Sequence, residues 1–172
     1  MTRGFILPKL PEPSPDARLS APAARRNLDP IRTILLNHAP KSGRALELAD
    51  TLRAPVALDA TRPGWSTRQG PVEMILLVNL LHLISETSAA TVLTEIVQTL
   101  APGGTAFVYG PFLRDGQPTS DGDTRFHARL RAADPATGYK DLAWAKDSLR
   151  PLSVSAVPMP ANNQMLIARK VP

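Results

Sequence analysis

"GRALELADTLRAPVALDAT", residues 43–61, decides how the rest of the chain can be arranged. Arg44 to Ala49 reads as the opening strand of an α/β domain, ending on Glu47-Leu48-Ala49. In nucleotide-binding domains of that class a glycine-rich turn and a helix come next, because the backbone must approach the ligand with no Cβ in the way. Here Asp50-Thr51-Leu52-Arg53 follows, and then a second strand-like run, Ala54 to Leu58. Parallel neighbours need a crossover of about a dozen residues or more, far longer than Asp50–Arg53. The two runs therefore form an antiparallel hairpin, sit apart in a sheet, or are not both strands. Leu48 and Leu52, four apart among strong helix formers, also allow an added helix. We take 44–49 as a strand.

Outward from this stretch the pattern alternates between the two periods. Asp29-Pro30 reads as an N-cap followed by proline at the first helical position, with Ile31, Ile34, Leu35 and His38 at helical spacing and Pro40 beyond. Met74 to Leu81, "MILLVNLL", is a continuous apolar run of strand length, as expected of a strand buried on both faces. Ser85 or Ser88 caps a helix whose Val92, Leu93, Ile96, Val97 and Leu100 make one apolar face, and "APGG" stops it. Thr105 to Tyr109 is a second buried strand, broken by Gly110-Pro111. Asp123 caps a helix carrying Phe126 and Leu130, ended by Asp134-Pro135. Asp141 to Leu149 is a short helix, and Val154–Val157 and Met165–Ala168 are two strands joined through "PMPANNQ". Strands and helices in alternation predict an α/β domain with a mostly parallel sheet.

Composition bounds the chemistry. The 172 residues fit one domain, with 43% hydrophobic content for its core. Residues 1–22 carry five prolines and almost no periodicity, which predicts an extended, basic, proline-rich arm ahead of a single domain over 23–172. The charge is asymmetric: residues 1–70 hold 11 Lys/Arg against 6 Asp/Glu, and residues 71–172 hold nine of each. Such an arm suits docking on a protein partner. Nucleic acid is disfavoured, because only 5% of residues are aromatic and no basic cluster exceeds Arg25-Arg26. No apolar run reaches membrane-spanning length. The chain has no cysteine, which excludes disulfide and thiol chemistry and fits a cytoplasmic protein. Serine-nucleophile motifs, paired catalytic carboxylates, metal-spaced histidines and a phosphate loop are all absent from the sequence.

Several words in order carry a resemblance: "SAPAARRN" (20–27), "NLLHLIS" (79–85), "LAPGGTAFVYGPFLRDGQPTSDGDTRFHARLRAADPATGYKDL" (100–142) and "MPANN" (159–163). They resemble the S-adenosylmethionine-dependent methyltransferase-like family, the relatives of methyltransferase-like protein twenty-six. The resemblance implies a class I methyltransferase fold, a Rossmann-like sheet with helices on both faces and a reversed terminal strand. It also implies a Gly-x-Gly turn after "LELA" and a ribose-binding carboxylate on the following strand. "ALELA" matches the first strand and "APVALDAT" resembles the third, so the glycine loop and the βαβ unit after it are missing and the sheet is truncated.

By the same resemblance Glu47 and Asp59 correspond to cofactor-side carboxylates, here remnants. Asp59 also suits an Asx turn or a helix cap. Asn79 and His82 stand where the fourth strand reaches its carboxyl end, the edge at which open α/β sheets bind ligands. They are the catalytic candidates, His82 as a general base. Tyr109, Phe112, Arg114, Asn162 and Asn163 are the substrate-side candidates, and any surviving pocket is expected to gather Asn79, His82, Tyr109, Phe112, Asn162 and Asn163. Asp123, Arg125 and His127 are expected at the surface, and Trp65 and Trp144 in packing. The functional expectation is a degenerate methyltransferase-fold protein without S-adenosylmethionine, acting as a binding or assembly subunit. The alternative is an active methyltransferase on a small molecule or protein, with a rebuilt site for that cofactor.

Overall fold

The computed structural model describes residues 22–48 and 58–172, with side chains from Arg26 onward. The proline-rich arm and the run 54–57 lie outside the described residues. The elements, in order, are α1 (Pro22–His38), β1 (Ala45–Leu48), α2 (Trp65–Gln69), β2 (Val72–Val78), a 3-10 turn at Leu81–Leu83, α3 (Glu86–Thr99) and β3 (Leu100–Leu113). There follow α4 (Asp121–Ala133), β4 (Lys140–Asp141), α5 (Leu142–Ser148), β5 (Ser153–Pro158) and β6 (Asn163–Arg169).

The sheet runs β1-β2-β3-β6-β5, and β4 pairs with the end of β3. β1, β2 and β3 are parallel, and β6 is antiparallel to both β3 and β5, so it is the reversed strand. This is the expected α/β class with a mostly parallel Rossmann-like sheet. Within the run 44–49, Ala45–Leu48 is a strand: β1 pairs with β2, Ala45 opposite Met74 and Leu48 opposite Leu77.

Alternation along the strands sorts side chains to the two faces. Ile75, Leu77, Ala106, Val108 and Phe112 face a core shared with Trp65, Val92, Leu93, Ile96, Ala145 and Leu149 from α2, α3 and α5. Phe107, Tyr109, Met165 and Ile167 face the other way, onto Ile34 of α1. Each fully buried Leu, Ile or Phe contributes about 1.5–3 kcal/mol.

Four local expectations need correction. α1 starts at Pro22, so Pro30 lies inside the helix and Asp29 is not its cap. Asn27, 5% exposed, already lies buried in an earlier turn, so the helix runs on through Pro30 despite the backbone hydrogen bond that residue cannot make. α3 ends at Thr99, so Leu100 of the expected apolar face opens β3, and "APGG" continues as strand: Gly103 N–H donates to Lys170 O (3.0 Å) and Lys170 N–H to Gly104 O (2.9 Å). Gly110-Pro111 does not break β3, whose ladder to β2 stops at Tyr109 and to β6 at Pro111 itself, so the missing N–H falls at a ladder end. The cap of α4 is Ser120, whose Oγ accepts from Asp123 N–H, with Asp123 in the first turn. Ser85 caps α3 by accepting from Ser88 N–H, and Asp141 caps α5 by accepting from Ala143 N–H.

Candidate functional site

The β2–β3 ladder ends at the carboxyl edge with Val78 opposite Tyr109, and β3 runs on to Leu113. There Asn79 takes a left-handed conformation (φ 56°), and its N–H donates to Tyr109 O at 2.9 Å. The next turn, Leu81–Leu83, carries His82 back over β3. Gly110 lies between the two side chains: a Cβ built on it would stand in ordinary contact with both, 3.8 Å from Asn79 Oδ1 and 4.0 Å from His82 Nδ1. Asn79 and His82 are thus brought together across the α-carbon of Gly110. Asn79 is exposed and His82 only 7% exposed.

His82 sits in an aromatic box. Its ring centroid is 5.9 Å from that of Phe126 and 6.0 Å from that of Tyr139, both edge-on. Burial, with the charge of Lys140 adding to it, pulls its pKa from 6.5 down to about 4, so the ring is neutral at physiological pH. Lys140 is itself buried, and its Nζ donates to Ile84 O (2.8 Å) and Gly138 O (2.7 Å). Burial lowers its pKa as well.

Asp123, expected at the surface, is the hub of this edge. Its Oδ2 accepts from Ser120 Oγ (2.8 Å), Thr119 Oγ1 (3.0 Å) and Asn162 Nδ2 (3.0 Å), and its Oδ1 from Tyr139 Oη (3.2 Å). Burial works to raise the Asp123 pKa, but these four donors outweigh it and hold the carboxylate below its usual range. The Tyr139 phenol is pushed up by burial and by that carboxylate. His127 Nδ1 accepts from Tyr139 N–H at 3.0 Å, giving α4 a second tie.

The other residues singled out from sequence do not converge on His82. Tyr109 is 1% exposed and points to the α1 face, because it is one residue out of phase with Gly110. Phe112 shares the His82 face but is sealed in the core. Arg114 is exposed in the turn it closes with Gln117. Asn162 ties down Asp123, while Asn163 Nδ2 donates to Pro160 O (2.9 Å) within its own turn. Glu47 is exposed on β1. Asp59 forms an Asx turn, its Oδ1 accepting from Thr61 N–H (3.1 Å) and Thr61 Oγ1 (2.6 Å) and its Oδ2 from Arg62 (3.1 Å). The Thr61 hydroxyl is the main reason its pKa is lowered. The single six-residue pocket is therefore divided between two faces of the sheet. Sequence reasoning missed Phe126, Tyr139 and Lys140 as members of the edge.

Residues 48–170 match the model of a family described as "Protein of unknown function (DUF938)". Among solved structures the chain is similar to an O-methyltransferase family protein from Burkholderia thailandensis, with 16% identity, a TM-score of 0.55 and coverage of 62% of this chain and 33% of that one. It is similar to an O-methyltransferase family 2 protein from Planctomyces limnophilus in complex with apigenin: 18% identity, TM-score 0.53, coverage 59% and 31%. It is also similar to human N-acetylserotonin methyltransferase in complex with S-adenosylmethionine: 17% identity, TM-score 0.50, coverage 59% and 30%. The chain spans about a third of the length of each. At such identities the likeness shows the fold, that of the methyltransferases.

Proposed function

The chain belongs to the DUF938 family and has a methyltransferase-like fold, and from that premise we propose that it is a degenerate member of the fold, without S-adenosylmethionine, acting as a binding or assembly subunit. The observation that carries this reading is the carboxyl end of β1. From Arg44 to Pro63 the sequence has no glycine, so the stretch that follows β1 offers no position without a Cβ for the close backbone approach a cofactor turn needs. Among the described residues, the carboxylates of this stretch do not fit the cofactor either. Asp59 spends both oxygens on Thr61 and Arg62, and Glu47 stands exposed on a strand that pairs, among the described residues, with β2 alone. The parallel neighbours β1 and β2 are joined through residues 49–71, too few for the two further strand–helix units the methyltransferase sheet would place between them. Partners of such a subunit are proteins, reached in part through the basic proline-rich arm.

Calorimetric titration of the full chain with S-adenosylmethionine tests the reading. We expect no saturable heat in the micromolar range, and a micromolar dissociation constant, about 8 kcal/mol of binding, would overturn it. A second reading, a methyltransferase with a rebuilt cofactor site, draws on the neutral His82 beside Asn79, placed at the substrate edge as a proton acceptor. It requires the binding that the same titration measures.

A further inference from the structure

α4 is thirteen residues long and contributes no fully buried side chain. Its inner side is nonetheless fixed: Asp123 is held by four donors, His127 by Tyr139 N–H, and Phe126 by the His82 and Tyr139 rings. Gly122, Arg125, Phe126 and Arg129 recur at i, i+3, i+4 and i+7, the spacing of one helix face. They line a cleft of about 360 Å³ open to solvent. The Arg129 guanidinium lies 5.0 Å over the Phe126 ring. The ion pairs among the described residues are Arg62–Asp59 and Arg150–Asp147, so no described carboxylate pairs with Arg125 or Arg129.

This combination is unlike a solvated helix face. Two arginines one turn apart bracket an aromatic floor, and Gly122 bares the backbone in the first turn, where the helix dipole favours negative charge. Of the two carboxylates in that turn, Asp123 points into its own hydrogen bonds, and the exposed Asp121, four before Arg125, forms an ion pair with neither arginine. From this geometry we propose that the α4 face Gly122–Arg125–Phe126–Arg129 is a docking surface for an acidic peptide segment of a partner protein, carboxylates on the two guanidiniums and one apolar side chain against the part of the half-buried Phe126 that Arg129 leaves exposed. The proposal rests on the reading of the chain as an assembly subunit and gives that subunit a surface within the folded domain. Because the helix is already pinned, docking costs little ordering of the protein.

The test is fluorescence anisotropy on the full chain, with a labelled peptide Asp-Glu-Leu-Phe-Glu-Asp as probe and its Asn/Gln counterpart as control. Saturable binding is expected for the acidic probe, weaker by about tenfold or more for the neutral one and for the Arg125→Glu/Arg129→Glu variant. Wild-type affinity should fall as salt rises, since exposed charge pairs are screened within about 10 Å. Arg150→Glu, an exposed arginine elsewhere, should bind as wild type does. The arginines are exposed, so the double variant should keep its circular dichroism. If it does not fold, the neutral peptide and the salt series on wild type still decide. No saturable binding by wild type, equal binding of the neutral peptide, or an equal loss in Arg150→Glu overturns the proposal. Titration with S-adenosylmethionine is independent of every arm, so failure of the docking surface and failure of the cofactor-free reading are separately visible.

Discussion

Glu95 offers the sharpest energetic test of the fold. It lies on α3 within the apolar face formed by Val92, Leu93 and Ile96, and is 5% exposed. Its Oε1 accepts from Gly64 N–H and its Oε2 from Ser66 N–H, both at 2.7 Å. Those amides open α2 and flank Trp65, which is wholly buried and whose Nε1 donates to Ala60 O at 3.1 Å. One carboxylate thus holds the segment that leads from β1 to β2 against α3. Hydrogen bonds to a charged group contribute about 1.5–3 kcal/mol each. With some relaxation and water entry at the two orphaned amides, Glu95→Ala should cost about 2–4 kcal/mol. At roughly 2–4 °C per kcal/mol for a chain of this size, the melting temperature should fall by about 5–15 °C.

The pH dependence has a definite sign. Burial works to raise the Glu95 pKa, but the Gly64 and Ser66 donors prevail and hold it below the ordinary 4.5. A depressed carboxylate stabilises the fold above its unfolded pKa, and that stabilisation is lost as pH falls through the folded value. Urea unfolding of wild type and Glu95→Ala at neutral pH and at about pH 3.5 should therefore show a deficit that narrows in acid. A deficit below about 0.5 kcal/mol at neutral pH, or one that widens in acid, would refute the anchoring role.

Two further outcomes follow from the same geometry. The His82 pKa of about 4 against an ordinary 6.5 means that the fold favours the neutral ring. Stability should be full above pH 6.5 and decline by about 3 kcal/mol as pH falls towards 4, and an NMR titration placing His82 near 6.5 would contradict the burial argument. Gly104→Ala should cost about 2 kcal/mol or more by overpacking, because its Cβ would stand 2.9 Å from Ala101 O, 3.1 Å from Glu73 O and 3.2 Å from Val72 O, all backbone atoms. Thermal melting of the variant checks it, and an unchanged midpoint would show that β2 and β3 can part there at no cost.

What was legible in the sequence is what local pattern encodes. The runs that became β2 and β3, the apolar face of α3, and the β5–β6 pair announce themselves by period alone, and "ALEL" by its place before them. Contacts between distant residues do not. Glu95 reaches Gly64 and Ser66 across about thirty positions, and Lys140 reaches Ile84 across 56. A charged residue on a helix reads as solvated unless its spacing is checked. Glu95 lies three after Val92 and four before Thr99, on the buried side, and that was the available signal. Pro30 was misread for the complementary reason. Proline after aspartate is a good helix start locally, and only the burial of Asn27 upstream reveals that the helix has already begun.

The candidate site shows the same division at finer scale. The rule that open sheets bind ligands at their carboxyl edge located the right neighbourhood, but it specifies an edge and not a face. The face depends on phase along β3, where a single step separates Tyr109, turned onto Ile34, from Gly110, turned towards Asn79 and His82. The backbone marks the edge independently. Among the described residues, the non-glycine positions with positive φ are Asn79, Asp115, Ala161 and Asn162. They lie after β2, after β3 and between β5 and β6, all at the carboxyl ends of strands running in one direction. Such conformations cost about 1–3 kcal/mol each and persist where surrounding contacts over-determine them. Asn162 spends its strained backbone on aiming Nδ2 at Asp123, and Asn79 on turning the chain so that His82 lies over Gly110. Strain is thus concentrated on the side that fixes α4 and the His82 box.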